Sequence, residues 1–279
     1  MIAGGDKQCE VLGAGAISPE IGVISFGTAA AMEIMIPKYV ADRQMRFYTW
    51  PASVTGSWDI EMFIYRGFWM VSWFKQEFAH REALEAERRG VVPEVVLDET
   101  IRDIPPGCLG LMLQPYWSPL QDDKFAKGCI IGFGDVHTRA HMYRAIIEGL
   151  GFEFRRMYEI VQHKTGHKIK EIRVGGGGSK SDVAVQVAAD MFNVPVSRMA
   201  TSEIAGLGAA IDVAVAVGRY AGFAEACSKM VRKRQTFYPN RAAHKVYDRL
   251  YREVYLKTFK ALKPLNKRIA RIIGYPAVS

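Results

Sequence analysis

The chain has few cysteines, no long apolar run and no repeated segment. Its four cysteines are far apart and form no C-x-x-C pair: Cys9, Cys108, Cys129 and Cys227. This spacing indicates neither a zinc site nor a disulfide framework, and it fits a reducing cytoplasm. The sequence also lacks an apolar run as long as a membrane span and a basic-then-apolar signal segment. We therefore expect a cytoplasmic protein without a membrane partner.

The composition is that of an ordinary folded domain. The chain has 279 residues, of which 49% are hydrophobic and 24% are charged. A chain of this length buries a sizeable core, as one large domain or two small ones. Segments typical of strands and helices follow one another in mixed order, which predicts an α/β layered domain with a mixed sheet flanked by helices.

The net charge of +8 is concentrated near the end of the sequence. Basic residues recur from Lys229 to Arg271, and only Asp248 and Glu253 oppose them. Such a segment could bind nucleic acid. Apolar residues at helical spacing lie between the charges, however, and this pattern favours a basic amphipathic helix over residues 241–265 with a solvated basic face. We therefore expect no nucleic-acid partner.

Four consecutive glycines form the most unusual stretch of the sequence. Residues 169–174 alternate between apolar and polar side chains and predict a strand, and a helix is predicted to begin near Asp182. The glycines at 175–178 leave the backbone bare between these elements, so that a flat or anionic group can lie against it near the helix N-terminus. The turn is neither a G-x-G-x-x-G motif nor a P-loop. A nucleotide site and a plain loop both fit.

A second turn joins two predicted strands, Gly22 to Phe26 and Ala31 to Ile36. Its sequence is Gly27-Thr28-Ala29-Ala30. A glycine followed by a hydroxyl residue can wrap a phosphate with backbone N–H groups and one O–H group. An ordinary hairpin is the alternative.

The remaining pattern predicts further strands and helices. The predicted strands cover residues 47–50, 57–61, 110–114 and 129–131, and a short one begins near residue 196. The predicted helices cover residues 7–14, 67–89, 93–102, 137–165 and 204–217.

Five segments, in this order, resemble motifs of the C-terminal domain of the FGGY-family carbohydrate kinases, which include glycerol kinase, xylulokinase, ribulokinase and gluconokinase. The segments are Ala3-Gly-Gly-Asp6, Ser25-Phe-Gly-Thr28, Pro115-Tyr-Trp-Ser-Pro119 with 128–133 and 141–149, Val174 to Ser181, and Glu203 to Ala210. Each motif is weak alone, but the five occur at family spacing. The resemblance covers roughly residues 2 to 240.

The resemblance implies an actin-like, RNase H-like ATPase domain, with ATP bound between two such domains and a sugar or polyol in the cleft. It implies that Asp6 is the general base and that Gly27 and Thr28 contact the terminal phosphates. It also implies an adenosine pocket formed by Gly176, Gly177, Gly178 and Ser181. Mg²⁺ would be held by ATP oxygens and water, so we assign no metal ligand.

Three positions depart from the family pattern. Lys7 stands where several members carry an amide that touches the polyol, and Ala29 stands where a hydroxyl residue often follows the Gly-Thr pair. Ser181 replaces an asparagine found in some members.

The resemblance also implies a missing N-terminal domain that carries most of the sugar-binding residues. We expect residues 1–279 to be the C-terminal half, which folds, binds ATP weakly and does not turn over sugar alone. A homodimer is a candidate assembly. The rival function is that of an actin-like ATP-binding module in a chaperone or activator ATPase, since fold does not determine function. Asp6 beside two glycines and the segment 141–149 favour a sugar kinase.

Overall fold

The computed structural model describes residues 4–120 and 123–275, and its centre is a seven-stranded mixed sheet. The strands are β1 (Ile21–Ser25), β2 (Ala30–Ile36), β3 (Tyr48–Pro51), β4 (Trp58–Ile64), β5 (Met112–Gln114), β6 (Cys129–Ile131), β7 (Glu171–Gly175), β8 (Val196–Met199) and β9 (Lys233–Phe237). The main sheet has the order β3-β4-β2-β1-β7-β8-β9, and β5 and β6 form a separate pair.

Ten α-helices accompany the strands within the described residues. They are α1 (Asp6–Gly13), α2 (Trp69–Phe78), α3 (His80–Arg89), α4 (Pro93–Ile101), α5 (Arg139–Thr165), α6 (Asp182–Phe192), α7 (Ile204–Ala216), α8 (Phe223–Met230), α9 (Arg241–Leu250) and α10 (Leu256–Ile273). In the part of the chain described, no helix is both long and apolar enough to cross a membrane.

The middle of the sheet is parallel and its two sides are antiparallel. β1 pairs in parallel with β7, from Ile21 opposite Glu171 to Ser25 opposite Gly175. β2, β4 and β3 extend one side as antiparallel strands, and β9 closes the other side antiparallel to β8. Because β1 and β7 end side by side, the turns that follow them lie at the same edge of the sheet. Open α/β sheets bind ligands at this edge.

The two faces of the sheet carry different helices. Ile24, Ile34 and Ile60 belong to the main core, which also contains the buried side of α5. Val23 and Met35 point to the opposite face and pack in a smaller core with residues of α1 and α7. Successive side chains of each strand point to opposite faces of the sheet, and helices cover both faces.

The long α5 helix is joined to the C-terminal helix by buried hydroxyl–carboxylate contacts. Tyr247 donates a hydrogen bond to Glu148 at 2.9 Å, and Tyr255 donates one to Glu153 at 2.9 Å. The segment predicted as a basic amphipathic helix is helical from Arg241 and continues to Ile273 through a π-helical turn at Tyr251–Tyr255. The tyrosines bury the apolar side of this helix, while many of its basic side chains are exposed.

Two parts of the sequence prediction are wrong. The helix predicted over residues 67–89 is two helices, because the chain turns at Ala79 (φ −112°, ψ 34°). Arg139 Nη1, at the start of α5, donates a hydrogen bond to the Phe78 carbonyl oxygen at 2.7 Å. This bond satisfies a carbonyl group at the end of α2 that has no partner within the helix. No strand was predicted at Lys233–Phe237, where the charged residues of β9 form an edge of the sheet.

Helices α1 and α7 approach so closely that glycine is required at their contact. A Cβ atom at Gly208 would lie 1.8 Å from the Cys9 carbonyl oxygen, and one at Gly13 would lie 1.8 Å from the Ile204 carbonyl oxygen. Both obstacles are backbone atoms, which cannot move aside without separating the helices. The small residues of α7 thus determine how deeply α1, the helix that carries Asp6, sits on the sheet.

The Gly208→Ala variant is expected to lower the free energy of unfolding by about 3 kcal/mol, because overpacking forces the two helices apart. Gly206→Ala, on the same helix, is the matched control, since a Cβ at Gly206 has no heavy atom within 4 Å. It should be neutral or slightly stabilising. Urea titration followed by circular dichroism measures both variants. Equal stabilities would contradict the close contact of α1 with α7.

Candidate active site

A cavity of about 540 Å³ opens between the two glycine turns at the end of the parallel strands. It brings together five of the residues predicted to bind nucleotide: Gly27, Thr28, Gly177, Gly178 and Ser181. Its volume is within the usual range of ligand pockets. Phe26, Phe68, Val71 and Tyr143 add apolar surface to the wall.

The backbone of Phe26 holds the four-glycine turn in place. Phe26 N donates to the Gly175 carbonyl oxygen at 3.0 Å, and Gly178 N donates to the Phe26 carbonyl oxygen at 3.0 Å. Gly176 has φ +78°, and a Cβ there would lie 3.0 Å from Phe26 backbone atoms. A Cβ at Gly178 would lie 2.4 Å from the Phe68 ring. These two glycines therefore permit close packing, while Gly177, with open space beside it, faces the cavity.

The Gly27–Thr28 turn is fixed to the start of α2. Phe68 N donates to the Gly27 carbonyl oxygen at 3.0 Å, and Trp69 N donates to the Thr28 carbonyl oxygen at 3.3 Å. Both carbonyl groups are thereby paired with backbone N–H groups at the start of α2. The turn is thus a hairpin between β1 and β2, and it also lines the cavity, so the two alternatives that the sequence left open are compatible.

Helix α6 begins at the cavity. Ser181 is its N-cap, and the Ser181 hydroxyl oxygen accepts a hydrogen bond from Ala184 N at 3.1 Å. The Ser181 hydroxyl group also donates a hydrogen bond to the Asp98 side chain. The N-terminal N–H groups of α6 and its dipole favour a partial negative charge at this position.

Helix α4 forms a wall of the cavity that the sequence analysis missed. Val92, Glu94, Val95 and Asp98 line it. The Asp98 carboxylate accepts a hydrogen bond from Tyr143 at 3.4 Å. Burial raises the pKa of Asp98, although hydrogen bonds from Ser181 and Tyr143 partly oppose this effect. The sequence predicted a helix over residues 93–102, but no motif indicates that this helix contacts the glycine turn.

Asp6 lies apart from the residues that line this cavity, at the first position of α1. Its side chain is exposed, and Oδ1 accepts a hydrogen bond from Lys7 N at 3.0 Å. The neighbouring Gly4 packs closely, since a Cβ there would lie 2.6 Å from Ser53 Oγ and this side chain would have to move. Ala3, the first residue of the motif, is outside the described residues. The exposed carboxylate is accessible to an acceptor group from solvent.

A group of carboxyl side chains surrounds Lys7, next to Asp6. Lys7 Nζ lies 2.9 Å from Glu10 Oε1. Glu33 is fully buried on β2, directly opposite Glu61 on β4, and within the described chain neither of its oxygens has a hydrogen-bond partner. Trp50 Nε1 donates to Glu61 Oε2 at 2.8 Å.

The charges in this group change one another's ionisation. Burial raises the pKa of Glu33 well above its usual range; Glu10 raises it further, and Lys7 opposes the rise. Burial lowers the pKa of Lys7, but Glu33 and Glu10 outweigh that effect, so the pKa of Lys7 is raised overall. Burial also raises the pKa of Asp59, on the same face of β4, to about 7. Lys7 is therefore charged, and Glu10 is its ion-pair partner.

The sequence model described as the FGGY family of carbohydrate kinases, C-terminal domain, matches residues 22–217. The chain belongs to this family. It is 33% identical over 251 residues to an uncharacterized sugar kinase, YgcE, of Escherichia coli, covering 90% of this chain and 51% of that protein. It is 27% identical over 272 residues to a xylulose kinase of Staphylococcus epidermidis, covering 96% of this chain and 52% of that protein.

The crystal structure of xylulose kinase from Rhodospirillum rubrum superimposes on this FGGY chain with a TM-score of 0.82 at 27% identity, covering 94% of this chain and 51% of that one. The predicted family and the actin-like fold are therefore confirmed. The chain spans about half the length of the curated relatives it matches. The family match ends before α8, β9, α9 and α10.

The buried carboxyl groups of this FGGY chain predict a pH-dependent stability. The folded protein holds the Asp59 proton up to about pH 7, whereas the unfolded chain releases it near 3.8. Folding is therefore favoured by protonation at low pH, and this contribution is lost as the pH rises from about 4 through 7. Asp59→Asn removes the titration. Between pH 4 and pH 8, the wild type should therefore lose up to about 4 kcal/mol of unfolding free energy relative to the Asp59→Asn variant.

Denaturant titrations across this pH range measure that difference. The exposed Asp103 provides the control variant Asp103→Asn. A difference for Asp59→Asn that stays constant with pH would show that the buried carboxyl group titrates normally.

Proposed function

We propose that this chain is the C-terminal, ATP-binding half of a kinase that transfers the γ-phosphoryl group of ATP to a hydroxyl group of a ketose, polyol or sugar acid. The observation that carries the proposal is the cavity in which two glycine turns meet beside the N-terminus of α6. Membership of the carbohydrate kinase family supports the reaction type. An N-terminal domain that supplies most sugar contacts is part of the proposal, and so is a homodimer.

The cavity suits a nucleoside. The bare backbone at Gly177 and the ring of Phe68 offer flat surfaces, and Ser181 adds a polar hydroxyl group to the wall. Gly27 and Thr28 would contact the terminal phosphates from the neighbouring turn. Phosphoryl transfer needs alignment and charge stabilisation more than covalent chemistry, so a rigid cradle of backbone groups is appropriate.

Mg²⁺ would be held mainly by ATP oxygens and water, where it neutralises phosphate charge. Among residues 4–120 and 123–275, no group of three or more His, Cys, Asp or Glu side chains could hold a metal ion. The chain's own contribution would be to orient the nucleotide and to keep the catalytic carboxylate accessible.

Asp6 would act as the general base. A carboxylate within hydrogen-bond reach of the acceptor hydroxyl can take its proton as the oxygen attacks the γ-phosphorus. The exposed position of Asp6 at the start of α1, with glycines before it, allows an acceptor to approach. Lys7 N–H fixes the carboxylate orientation through its hydrogen bond to Oδ1.

The Gly177→Leu variant tests the nucleotide site on the 279-residue chain. Because a Cβ at Gly177 has open space around it, the variant should fold normally while its side chain fills the cavity. The dissociation constant for a non-hydrolysable ATP analogue, measured by calorimetry, should rise at least about tenfold. Gly206→Leu is the control, since that glycine also has open space but lies on α7. Unchanged affinity in Gly177→Leu would place the nucleotide elsewhere.

The Asp6→Asn variant tests the general base in the complete enzyme, this chain together with its N-terminal domain. The turnover number should fall by about 10²–10⁴-fold with the KM for ATP unchanged, because only proton transfer is impaired. ADP release coupled to a panel of ketoses, polyols and aldonates measures it. Asp103→Asn should retain full activity. An undiminished rate in Asp6→Asn would refute the base assignment, and ATP turnover independent of any acceptor would favour the actin-like ATPase function.

A further inference from the structure

The last helix, α10, carries large apolar side chains that face solvent. Leu265, Ile269 and Ile272 follow one another at i, i+4 and i+7, so they lie on one side of the helix. Ile273 and Tyr275 continue this group at the helix end, and all five side chains are exposed, Ile272 by 79%. We call these five side chains the apolar stripe. Large apolar groups that lie together in solvent mark a binding surface.

A different side of α10 holds the helix on the domain. Ala270 is buried, the Phe259 and Tyr116 ring centroids are 5.5 Å apart, and Lys263 forms an ion pair with Asp123. Because these contacts already attach α10 to the loop after β5, the apolar stripe is not needed to keep the helix in place.

The charge beside the apolar stripe is positive. From residue 254 to the end of the sequence there is no acidic residue, and the basic residues are Lys257, Lys260, Lys263, Lys267, Arg268 and Arg271. Arg268 is three residues after Leu265 and four before Ile272, so it lies next to both on the helix surface. Within residues 4–120 and 123–275, four of these cations are exposed and have no ion pair: Lys257, Lys260, Arg268 and Arg271.

This combination argues for an anionic partner and against a second copy of the chain. A symmetric dimer would place the same cations of two α10 helices against one another, and like charges repel. Five apolar side chains are also fewer than the roughly 20–30 residues that each partner contributes to a stable protein interface. A helix with adjacent apolar and basic sides is typical of helices that lie on a lipid surface.

We propose that α10 binds the surface of an anionic lipid bilayer and lies parallel to it. The apolar stripe enters the boundary between headgroups and acyl chains, and the cations beside it attract the anionic headgroups. This inference is independent of the proposed kinase reaction. It departs from the expectation of no membrane partner, since that expectation rested on the lack of a segment that crosses a bilayer.

Sedimentation with vesicles tests the inference on the 279-residue chain and on the complete enzyme. The vesicles contain phosphatidylcholine alone, or phosphatidylcholine and phosphatidylserine in a ratio of about 7:3. The partition coefficient of both proteins should be at least about tenfold higher for the anionic vesicles, because several cations act together. Added salt should reduce this preference, because it screens the headgroup charge.

Two variants separate the apolar from the ionic contribution. Ile272→Ser and Arg268→Gln should each lower the partition coefficient for anionic vesicles at least about fivefold, since one loses buried apolar area and the other loses one charge. Both side chains are exposed, so the melting temperature should not change. Leu84→Ser and Arg81→Gln, at exposed positions of α3, are the matched controls and should bind as the wild type does.

The results that would overturn the inference point to different explanations. Equal or absent binding to the two kinds of vesicle would exclude an anionic lipid surface. A loss of binding in Arg268→Gln but not in Ile272→Ser would show a basic patch without insertion. Vesicle binding by the 279-residue chain but not by the complete enzyme would show that the N-terminal domain covers the apolar stripe. Self-association in light scattering that Ile272→Ser abolishes, without vesicle binding, would assign the stripe to a second copy.

Discussion

The candidate site depends on the parallel pairing of β1 with β7 and on the two hydrogen bonds that Phe26 makes immediately beyond it. Ser25 lies opposite Gly175, so both strands end at the same level. Phe26 then accepts from Gly178 and donates to Gly175, which anchors the four-glycine turn against the Gly27–Thr28 turn. A shift of register by one residue would reverse the direction of every side chain in β1 and separate the turns.

The two proposed substrates approach different parts of this framework. The cavity proposed for the nucleotide is lined by α2, α4 and the glycine turn, and more of its wall is apolar than polar. The surface beside Asp6 belongs to α1, β2 and β4 and is dominated by carboxyl groups. An acceptor at Asp6 and a nucleotide in the cavity would thus meet surfaces of different chemistry, which limits exchange of one for the other.

The local sequence pattern predicted most of the elements near the site, because each of them forms from residues that are adjacent in the sequence. Strand β7, the glycines and α6 follow one another with clear signals, and the resemblance to the FGGY family placed them in a fold. Contacts between distant segments were not predictable. The break at Ala79 depends on Arg139, sixty residues away. Strand β9 forms because β8 offers an open edge, although its own residues are mostly charged and exposed. The wall formed by α4, including Asp98, was missed for the same reason.

The most direct test of this account is a crystal structure of the chain with a non-hydrolysable ATP analogue. The adenosine should lie against Gly177 and Phe68, with Ser181 within hydrogen-bond distance and the phosphates directed toward Gly27 and Thr28. An analogue bound with its purine outside this cavity would contradict the account.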